Sequence, residues 1–151
     1  MRLFIVLTDF NGFAQTRRSL QTLHASHHQG FTTLVVDHGT SSETRDALAS
    51  EFPNVTRLVG SPDLWWTGAT NLGVRFALDQ GAERIMLLNN DCYPLPETIG
   101  ILLALSIKHP DAIIAPIQRN WRTGQITAIS PRSRFLLGIP TVPGPRRLTA
   151  A

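Results

Sequence analysis

The sequence predicts an α/β fold of three layers, in which a mostly parallel sheet lies between two layers of helices. Short runs rich in β-branched and aliphatic residues alternate with segments of helical periodicity. The first run, LFIVLT, is apolar throughout, as strands buried on both faces are. Strands and helices that alternate along a chain join through right-handed crossovers, which produce a parallel sheet covered on both sides.

The first half of the chain supplies two helices between three strands. A helix is predicted over residues 14–28, with Leu20 and Leu23 facing the core and Gly30 as its C-terminal cap. FTTLVVD is the second strand. The segment TSSE predicts a capping box headed by Thr40 at the start of a second helix, and VTRLVG is the third strand.

The second half continues the alternation. A helix is predicted over residues 68–80, with Leu72 and Phe76 on its inner side and Gly81 ending it. RIMLL is the fourth strand, and the next helix begins at Pro96, since proline is favourable in a first helical turn. The run AIIAPI predicts a fifth strand.

Charge is unevenly distributed along the 151 residues, whose formal net charge is +3. Residues 116–151 hold six arginines, five of the ten prolines and no acidic residue. This composition disfavours regular structure, so we expect the chain from about Pro140 onward to be extended or disordered. An arginine-rich tail can contact the phosphates of nucleic acid or anionic lipid, but aromatic residues are interleaved only at Trp121 and Phe135. No nucleic-acid partner is expected.

Several features bear on the compartment. The longest apolar run, IGILLALSI, is shorter than the roughly 20 residues of a bilayer-spanning helix. The amino terminus has no secretory signal pattern. The single cysteine, Cys92, excludes an internal disulfide and fits a reducing compartment. These features predict a cytoplasmic protein and leave open a peripheral contact with the inner face of the membrane.

Polar side chains follow three of the predicted strands, at the sheet edge where α/β proteins bind ligands. They lie in TDFN, DHGT and NND, and neither a G-x-G-x-x-G nor a Walker motif accompanies them. Asp37 could accept a hydrogen bond from a nucleobase or ribose. Asp91 suits a hard divalent cation that shares its remaining sites with phosphate oxygens. Alternatively, each aspartate caps the turn or helix that follows it.

Four motifs, in this order and spacing, resemble glycosyltransferase family 2 and in particular its rhamnosyltransferase-like branch. They are LTDFNG, VVDHGTSSET, WWTGATNLGV and MLLNNDCYP. The resemblance implies the Rossmann-like GT-A fold, with an incomplete nucleotide-sugar-binding domain over residues 1–124 and a basic, proline-rich tail over residues 125–151. It also implies a glycosyltransferase of polysaccharide biosynthesis that takes a UDP- or dTDP-sugar and a glycan or lipid-linked acceptor.

The same resemblance assigns roles to individual residues. Five residues at or just after the ends of the first and second strands would bind the nucleotide, with the first two lining the base pocket: Thr8, Phe10, Asn11, Asp37 and Gly39. Four others would contact the donor sugar or the diphosphate: Trp66, Gly68, Asn71 and Asn90. Asp91 would hold Mg²⁺ or Mn²⁺. Because Asn90 leaves one carboxylate in the metal motif, metal binding is predicted to be weak or dispensable.

Some of these residues also have plain structural interpretations. Trp65 and Trp66 could stack on a sugar or base, or they could plug the core. Asn71 could be a helix-surface amide. Cys92 lacks a partner for nucleophilic catalysis and suits a small apolar filler. Three histidines share one helix face, which is more typical of a solvated surface than of a zinc site: His24, His27 and His28.

The catalytic base is not identified. Inverting transfer needs a group that takes the proton of the acceptor hydroxyl, and the resemblance implies an acidic residue well after the metal motif. The last acidic residue here is Asp111. We therefore expect the nucleotide-sugar-binding half of a glycosyltransferase, shortened by natural truncation, a gene-model break or a frameshift. The alternative is a non-catalytic module that binds a nucleotide or nucleotide sugar.

Overall fold

The computed structural model describes residues 1–128, 132–134 and 139–141. The expectation for the tail beyond Pro140 therefore lies almost entirely outside the described residues. The chain forms two compact units, Met1–Gly100 and Ile101–Ala151. The division at residue 124 stays a prediction.

The first unit contains one sheet of four parallel strands with helices on both faces. Its main elements are β1 (Leu3–Asp9), α1 (Phe13–His24), β2 (Phe31–Asp37), α2 (Ser42–Glu51), β3 (Thr56–Val59), α3 (Trp65–Asp79) and β4 (Arg84–Asn89). A turn of 3₁₀ helix, Pro62–Leu64, leads into α3. The strand order is β3, β2, β1, β4, and every pairing is parallel. The predicted α/β class with a mostly parallel sheet is confirmed.

Side chains alternate between the two faces of this sheet because successive residues of a strand point in opposite directions. Phe4 and Val6 of β1 pack with Ala69 and Ala77 of α3 in the main apolar cluster. The opposite face of β1 meets α1 and α2, since the side chain of Asp9 is hydrogen-bonded from both helices. Odd-numbered and even-numbered residues of β1 thus belong to different layers.

Helix α3 ends as predicted at Gly81, which has a left-handed φ of 77°. The Ala82 amide donates to Ala77 O and the Gly81 amide to Leu78 O, both at 2.9 Å. These two bonds form the Schellman motif, which glycine favours because it has no Cβ to clash in the left-handed region.

Helix α1 is shorter than predicted, and Gly30 is not its cap. The helix ends at His24, and the chain that follows bonds to the loop before the last helix instead. The His27 amide donates to Pro96 O at 2.9 Å, and Ser26 Oγ donates to the same oxygen at 3.2 Å. The lack of a side chain at Gly30 serves packing, since a Cβ there would lie 3.2 Å from the imidazole of His28.

The capping residue of α2 is Ser41 and not Thr40, so the predicted capping box is wrong by one position. Ser41 Oγ accepts from the Thr44 amide at 3.1 Å. Thr40 has a left-handed φ of 55°, and its amide donates to Asp37 Oδ1 at 2.9 Å. The turn that ends β2 therefore uses Thr40, and the helix begins one residue later.

Helix α4, Thr98–Lys108, begins two residues after Pro96 and crosses the boundary between the units. The second unit has two antiparallel pairs, β5 (Gln118–Arg119) with β6 (Ile126–Ala128) and β7 (Arg132–Arg134) with β8 (Ile139–Thr141). The predicted fifth strand is wrong, because residues 112–117 have no regular structure and pair with no neighbour among the described residues. Among all the residues that the structure describes, no helix is long and apolar enough to span a bilayer.

Candidate functional site

The carboxyl edge of the sheet brings the polar ends of β1, β2 and β4 side by side. Asp9 at the end of β1 is in register with Asp37 at the end of β2. On its other side, Thr8 of β1 is in register with Asn89, the last residue of β4. The three loops that leave these strands are therefore neighbours, as the sequence predicted.

The loops after β1 and β2 touch directly. A Cβ at Gly39 would lie 2.5 Å from Asn11 Oδ1 and 2.6 Å from the Asn11 amide nitrogen, so only glycine fits. Asn11 itself has a left-handed φ of 54°, which asparagine tolerates better than most residues. The exposed ring of Phe10 lies 5.0 Å from the ring of His38, measured between centroids. These four residues, Phe10, Asn11, His38 and Gly39, thus form one wall of the carboxyl edge.

His38 contributes a buried polar ring to this wall. The residue is 5% exposed, and its Nδ1 has no hydrogen-bond partner among the described residues. Burial lowers the pKa of His38, while the charges of Asp9 and Asp37 oppose the shift. The neutral ring is therefore favoured, and it presents an aromatic surface without a full charge beside Phe10.

Asp37 is fully buried, and both of its oxygens already have partners. Oδ1 accepts from the Thr40 amide at 2.9 Å. Oδ2 accepts from Arg57 at 2.9 Å from Nε and 2.6 Å from Nη2. Asp37 therefore caps its own turn, as one interpretation of the sequence proposed, and also pairs with an arginine that the sequence analysis did not single out. Its contact with a nucleobase stays a prediction.

A second fully buried carboxylate, Asp9, was missed as a site residue. Thr16 of α1 donates to Asp9 Oδ1, and Thr44 of α2 donates to Oδ2 at 2.9 Å. Both threonines are fully buried as well. The signal was present in the sequence, since Asp9 closes β1 at the same register position at which Asp37 closes β2.

The loop after β4 carries Asn90 and Asp91. Asn90 Nδ2 donates to Thr16 Oγ1 at 3.1 Å, which ties this loop to α1. Asp91 is exposed and lies 3.9 Å from the thiol of Cys92. Burial raises the pKa of Cys92, and Asp91 adds to the rise, so the cysteine remains a thiol. No group of three or more His, Cys, Asp or Glu that could hold a metal occurs among the described residues.

The start of α3 borders the same edge. Trp66 Nε1 donates to Asn89 Oδ1 at 3.1 Å, and both Trp65 and Trp66 are largely exposed, so the core-plug interpretation is wrong. Gly68 allows α3 to approach the 3₁₀ turn, since a Cβ there would lie 3.1 Å from the Leu64 side chain. Asn71 is exposed on the surface of α3, one turn beyond. Sugar or diphosphate binding by Trp66, Gly68 and Asn71 stays a prediction.

A cavity of about 540 Å³ lies at the opposite, amino edge of the sheet. Its lining includes Arg2, Phe31, Thr56 and Phe76. The described carboxylates and amides discussed above are all at the other edge. In a parallel α/β sheet the carboxyl edge is where ligands bind, so the residue chemistry identifies the site better than the size of this depression.

Comparison with known proteins agrees with the sheet topology. The sequence matches Glycosyl transferase family 2 over residues 4–146. No curated protein matches the sequence. The fold is similar to S. aureus TarS 1–349 in complex with UDP-GlcNAc, with a TM-score of 0.58 and 16% identity over 77% of this chain and 37% of that chain.

A second similar structure is the mannosyltransferase PcManGT from Pyrobaculum calidifontis in complex with GDP-Man and Mn²⁺. The TM-score is 0.54, with 14% identity over 81% of this chain and 36% of that chain. This chain thus spans little more than a third of the length of either of these two chains. At such identities the likeness establishes the fold alone, whereas the family match extends over almost the whole sequence. The chain belongs to glycosyl transferase family 2.

Proposed function

We propose that the carboxyl edge of the sheet binds a nucleoside diphosphate sugar, and that the chain is the donor-binding part of an inverting glycosyltransferase of polysaccharide biosynthesis. The observation that carries the proposal is the contact between loops from three strands. Asn11 lies against Gly39, which joins the loops after β1 and β2. Asn90 Nδ2 donates to Thr16 of α1 and also borders the loop after β1, since a Cβ at Gly12 would lie 3.2 Å from it. A ligand along this edge can therefore touch all three loops at once.

The nucleotide end of the donor lies, on this proposal, over the loops after β1 and β2. The half-exposed Phe10 offers a ring face on which a base can stack. Among the described residues, Asp37 Oδ1 accepts one bond, from the Thr40 amide, whereas Oδ2 accepts from Nε and Nη2 of Arg57. Because a carboxylate oxygen has two lone pairs, Oδ1 is the better acceptor for the ring N–H of uracil or thymine. Thr8, Asn11 and Gly39 complete this part of the site.

The diphosphate lies, on this proposal, over the loop after β4. Asp91 offers an exposed carboxylate and Asn90 an amide carbonyl. These oxygen ligands fit Mg²⁺ or Mn²⁺, which keep several waters and take their remaining ligands from phosphate oxygens. When bound, such a cation would neutralise the negative charge that develops on the leaving diphosphate. Trp66, Gly68 and Asn71 border the sugar.

None of Asp9, Asp37 and Asp91, the three carboxylates at the ends of β1, β2 and β4, is free to act as the catalytic base. Asp9 and Asp37 are fully buried and hydrogen-bonded, and Asp91 is assigned to the cation. Deprotonation of the hydroxyl of a glycan or lipid-linked acceptor therefore needs another group. This observation favours a second candidate function for the chain on its own, namely binding of a nucleotide or nucleotide sugar without transfer. The proposal places the protein in the cytoplasm. If the acceptor is lipid-linked, it places the protein at the inner face of the membrane.

Calorimetry with UDP-, dTDP- and GDP-sugars, with and without Mn²⁺, tests the binding site. We expect a UDP- or dTDP-sugar to bind, and Phe10→Ala to weaken the affinity at least about fivefold, since base stacking on an aromatic ring contributes about 1–3 kcal/mol. Leu78→Ala is the matched control, because it removes an equally exposed apolar side chain near the amino edge. Absence of binding to every nucleotide sugar would overturn the proposal.

Release of nucleoside diphosphate distinguishes the two candidate functions. We expect little release when the chain is incubated with a bound donor and a glycan or lipid-linked acceptor. Sustained, acceptor-dependent release would instead identify a complete glycosyltransferase. It would also require a base that the arrangement of Asp9, Asp37 and Asp91 does not supply.

A further inference from the structure

A chain of hydrogen bonds runs beneath the carboxyl edge, from the loop after β4 to the start of α2. Asn90 Nδ2 lies 3.1 Å from Thr16 Oγ1, which in turn bonds to Asp9 Oδ1. The other oxygen of Asp9 bonds to Thr44 Oγ1 at 2.9 Å, and Thr44 Oγ1 bonds to Ser41 Oγ at 2.9 Å. Asp9, Thr16 and Thr44 are all fully buried. The chain thus connects an exposed loop to a buried carboxylate.

The chemistry of the groups fixes the direction of these bonds. A carboxylate only accepts, so the hydrogen of the Thr16 hydroxyl must go to Asp9. The other acceptor near this hydroxyl, Gly12 O, is 3.5 Å away. Once its hydrogen is used, Thr16 Oγ1 can only accept, and only the NH₂ end of the Asn90 amide can donate to it. The orientation of that amide therefore follows from the carboxylate at Asp9.

The consequence is that Asn90 uses its NH₂ end within the protein and leaves its carbonyl end for another partner. Asn90 Oδ1 has no hydrogen-bond partner among the described residues, and the neighbouring residue is the exposed Asp91. An amide oxygen next to a carboxylate is a pair of hard oxygen ligands. The reversed amide would present its NH₂ group instead, which repels a cation.

We propose that Asp9, acting through Thr16, is a positioning residue that holds the Asn90 carbonyl toward a divalent cation on the donor diphosphate. This inference rests on the proposed function and deepens it. It also gives a role to the carboxylate at Asp9, which bonds only to hydroxyl groups among the described side chains. A carboxylate orients both hydroxyls in one direction, whereas an amide in its place would let Thr16 donate to Asn90 and reverse the chain.

The threonines provide a matched pair of variants. Thr16→Val and Thr44→Val each remove one buried hydroxyl that donates to Asp9, and each leaves one carboxylate oxygen without its donor. Only Thr16 is bonded to Asn90. We expect Thr16→Val to reduce the Mn²⁺-dependent gain in UDP affinity about tenfold, as loss of an outer partner of a metal ligand does, and Thr44→Val to leave that gain unchanged. Thr16→Ser keeps the hydroxyl and should retain the full Mn²⁺-dependent gain in UDP affinity.

A ligand-free measurement on the unmodified protein accompanies the titrations, so the test does not depend on the variants folding. The Asn90 side-chain amide protons should exchange with water more slowly by NMR than those of the exposed Asn71. Equal exchange would overturn the inference, as would equal effects of the two valine variants or UDP binding that Mn²⁺ fails to strengthen. Those outcomes leave the proposed function standing, whereas absence of UDP binding with and without Mn²⁺ counts against the proposed function itself.

Discussion

The ion pair between Asp37 and Arg57 predicts an unequal response to removal of its two members. The Asp37 side chain is 0% exposed, whereas that of Arg57 is 24% exposed. Arg57→Ala strands a buried carboxylate that keeps only the Thr40 amide as a donor, and loss of one partner of a buried pair costs about 3–5 kcal/mol. Asp37→Ala leaves an arginine whose guanidinium can turn to water. This substitution should therefore lower the free energy of unfolding by only about 1–3 kcal/mol, the cost of the lost hydrogen bonds.

Urea denaturation followed by circular dichroism measures these free energies of unfolding. The double variant should be more stable than Arg57→Ala alone, because it no longer buries an unpaired charge. Arg45→Ala is the matched control, since its pair with Asp46 is exposed on both sides, and we expect no change in the urea midpoint. The reasoning is refuted if Arg57→Ala costs no more than Asp37→Ala, or if the two effects simply add.

Two further predictions concern the wall formed by the loops after β1 and β2. Because burial lowers the pKa of His38 below its ordinary 6.5, the folded state binds fewer protons than the unfolded state. Stability should therefore be complete above about pH 6.5 and decrease as the pH falls below it, and His38→Asn should reduce this dependence in urea titrations at about pH 7.5 and about pH 5.5. Gly39→Ala should cost about 1–3 kcal/mol in the same assay and weaken nucleotide binding, since its Cβ overlaps Asn11. Gly100→Ala, in the first turn of α4 with its nearest neighbour at 3.9 Å, is the control and should leave stability unchanged or raise it by at most about 0.5–1 kcal/mol.

The strands and helices of the first unit could be predicted because each has a local signal. The apolar run of β1, the inward Leu20 and Leu23 of α1 and the stop at Gly81 depend on residues close in sequence. The end of α1 does not, since the bond from the His27 amide to Pro96 O joins segments that are far apart in the chain. Tertiary bonds of this kind compete with helix continuation and leave no periodic signal.

The predicted fifth strand failed for a related reason. Residues 112–117 are as apolar as β1, but a strand exists only where a neighbour accepts and donates its backbone hydrogen bonds. Pro116 lacks the N–H that a ladder needs, and the Ile113 side chain is fully exposed. Apolar composition therefore indicated a buried strand where none of the described residues provides a partner.

The candidate site was predictable to the level of its loops but not of its hydrogen bonds. Asn11, Gly39 and Asn90 lie at the expected edge, since the exits of parallel strands must be neighbours. Arg57 could not be paired with Asp37 from sequence, because the pairing depends on the register of β3 against β2. Likewise, nothing in the spacing of Thr16 and Thr44 indicates that both reach Asp9.

The alternation of side chains across the sheet explains why this edge has two different sides. Thr8 and Asn89 are in register and face α3, where Asn89 accepts from the exposed Trp66. Asp9 and Asp37 are also in register but face the other layer, where side chains enclose them completely. A shift of one residue in β1 would exchange the faces of Thr8 and Asp9, so the register that buries the apolar core also decides which polar groups of β1 reach a ligand. On the proposals above, the buried Asp9 acts on a ligand through the groups it orients and Asp37 through the remaining lone pair of its Oδ1, whereas the exposed Phe10, Trp66 and Asp91 meet the ligand directly.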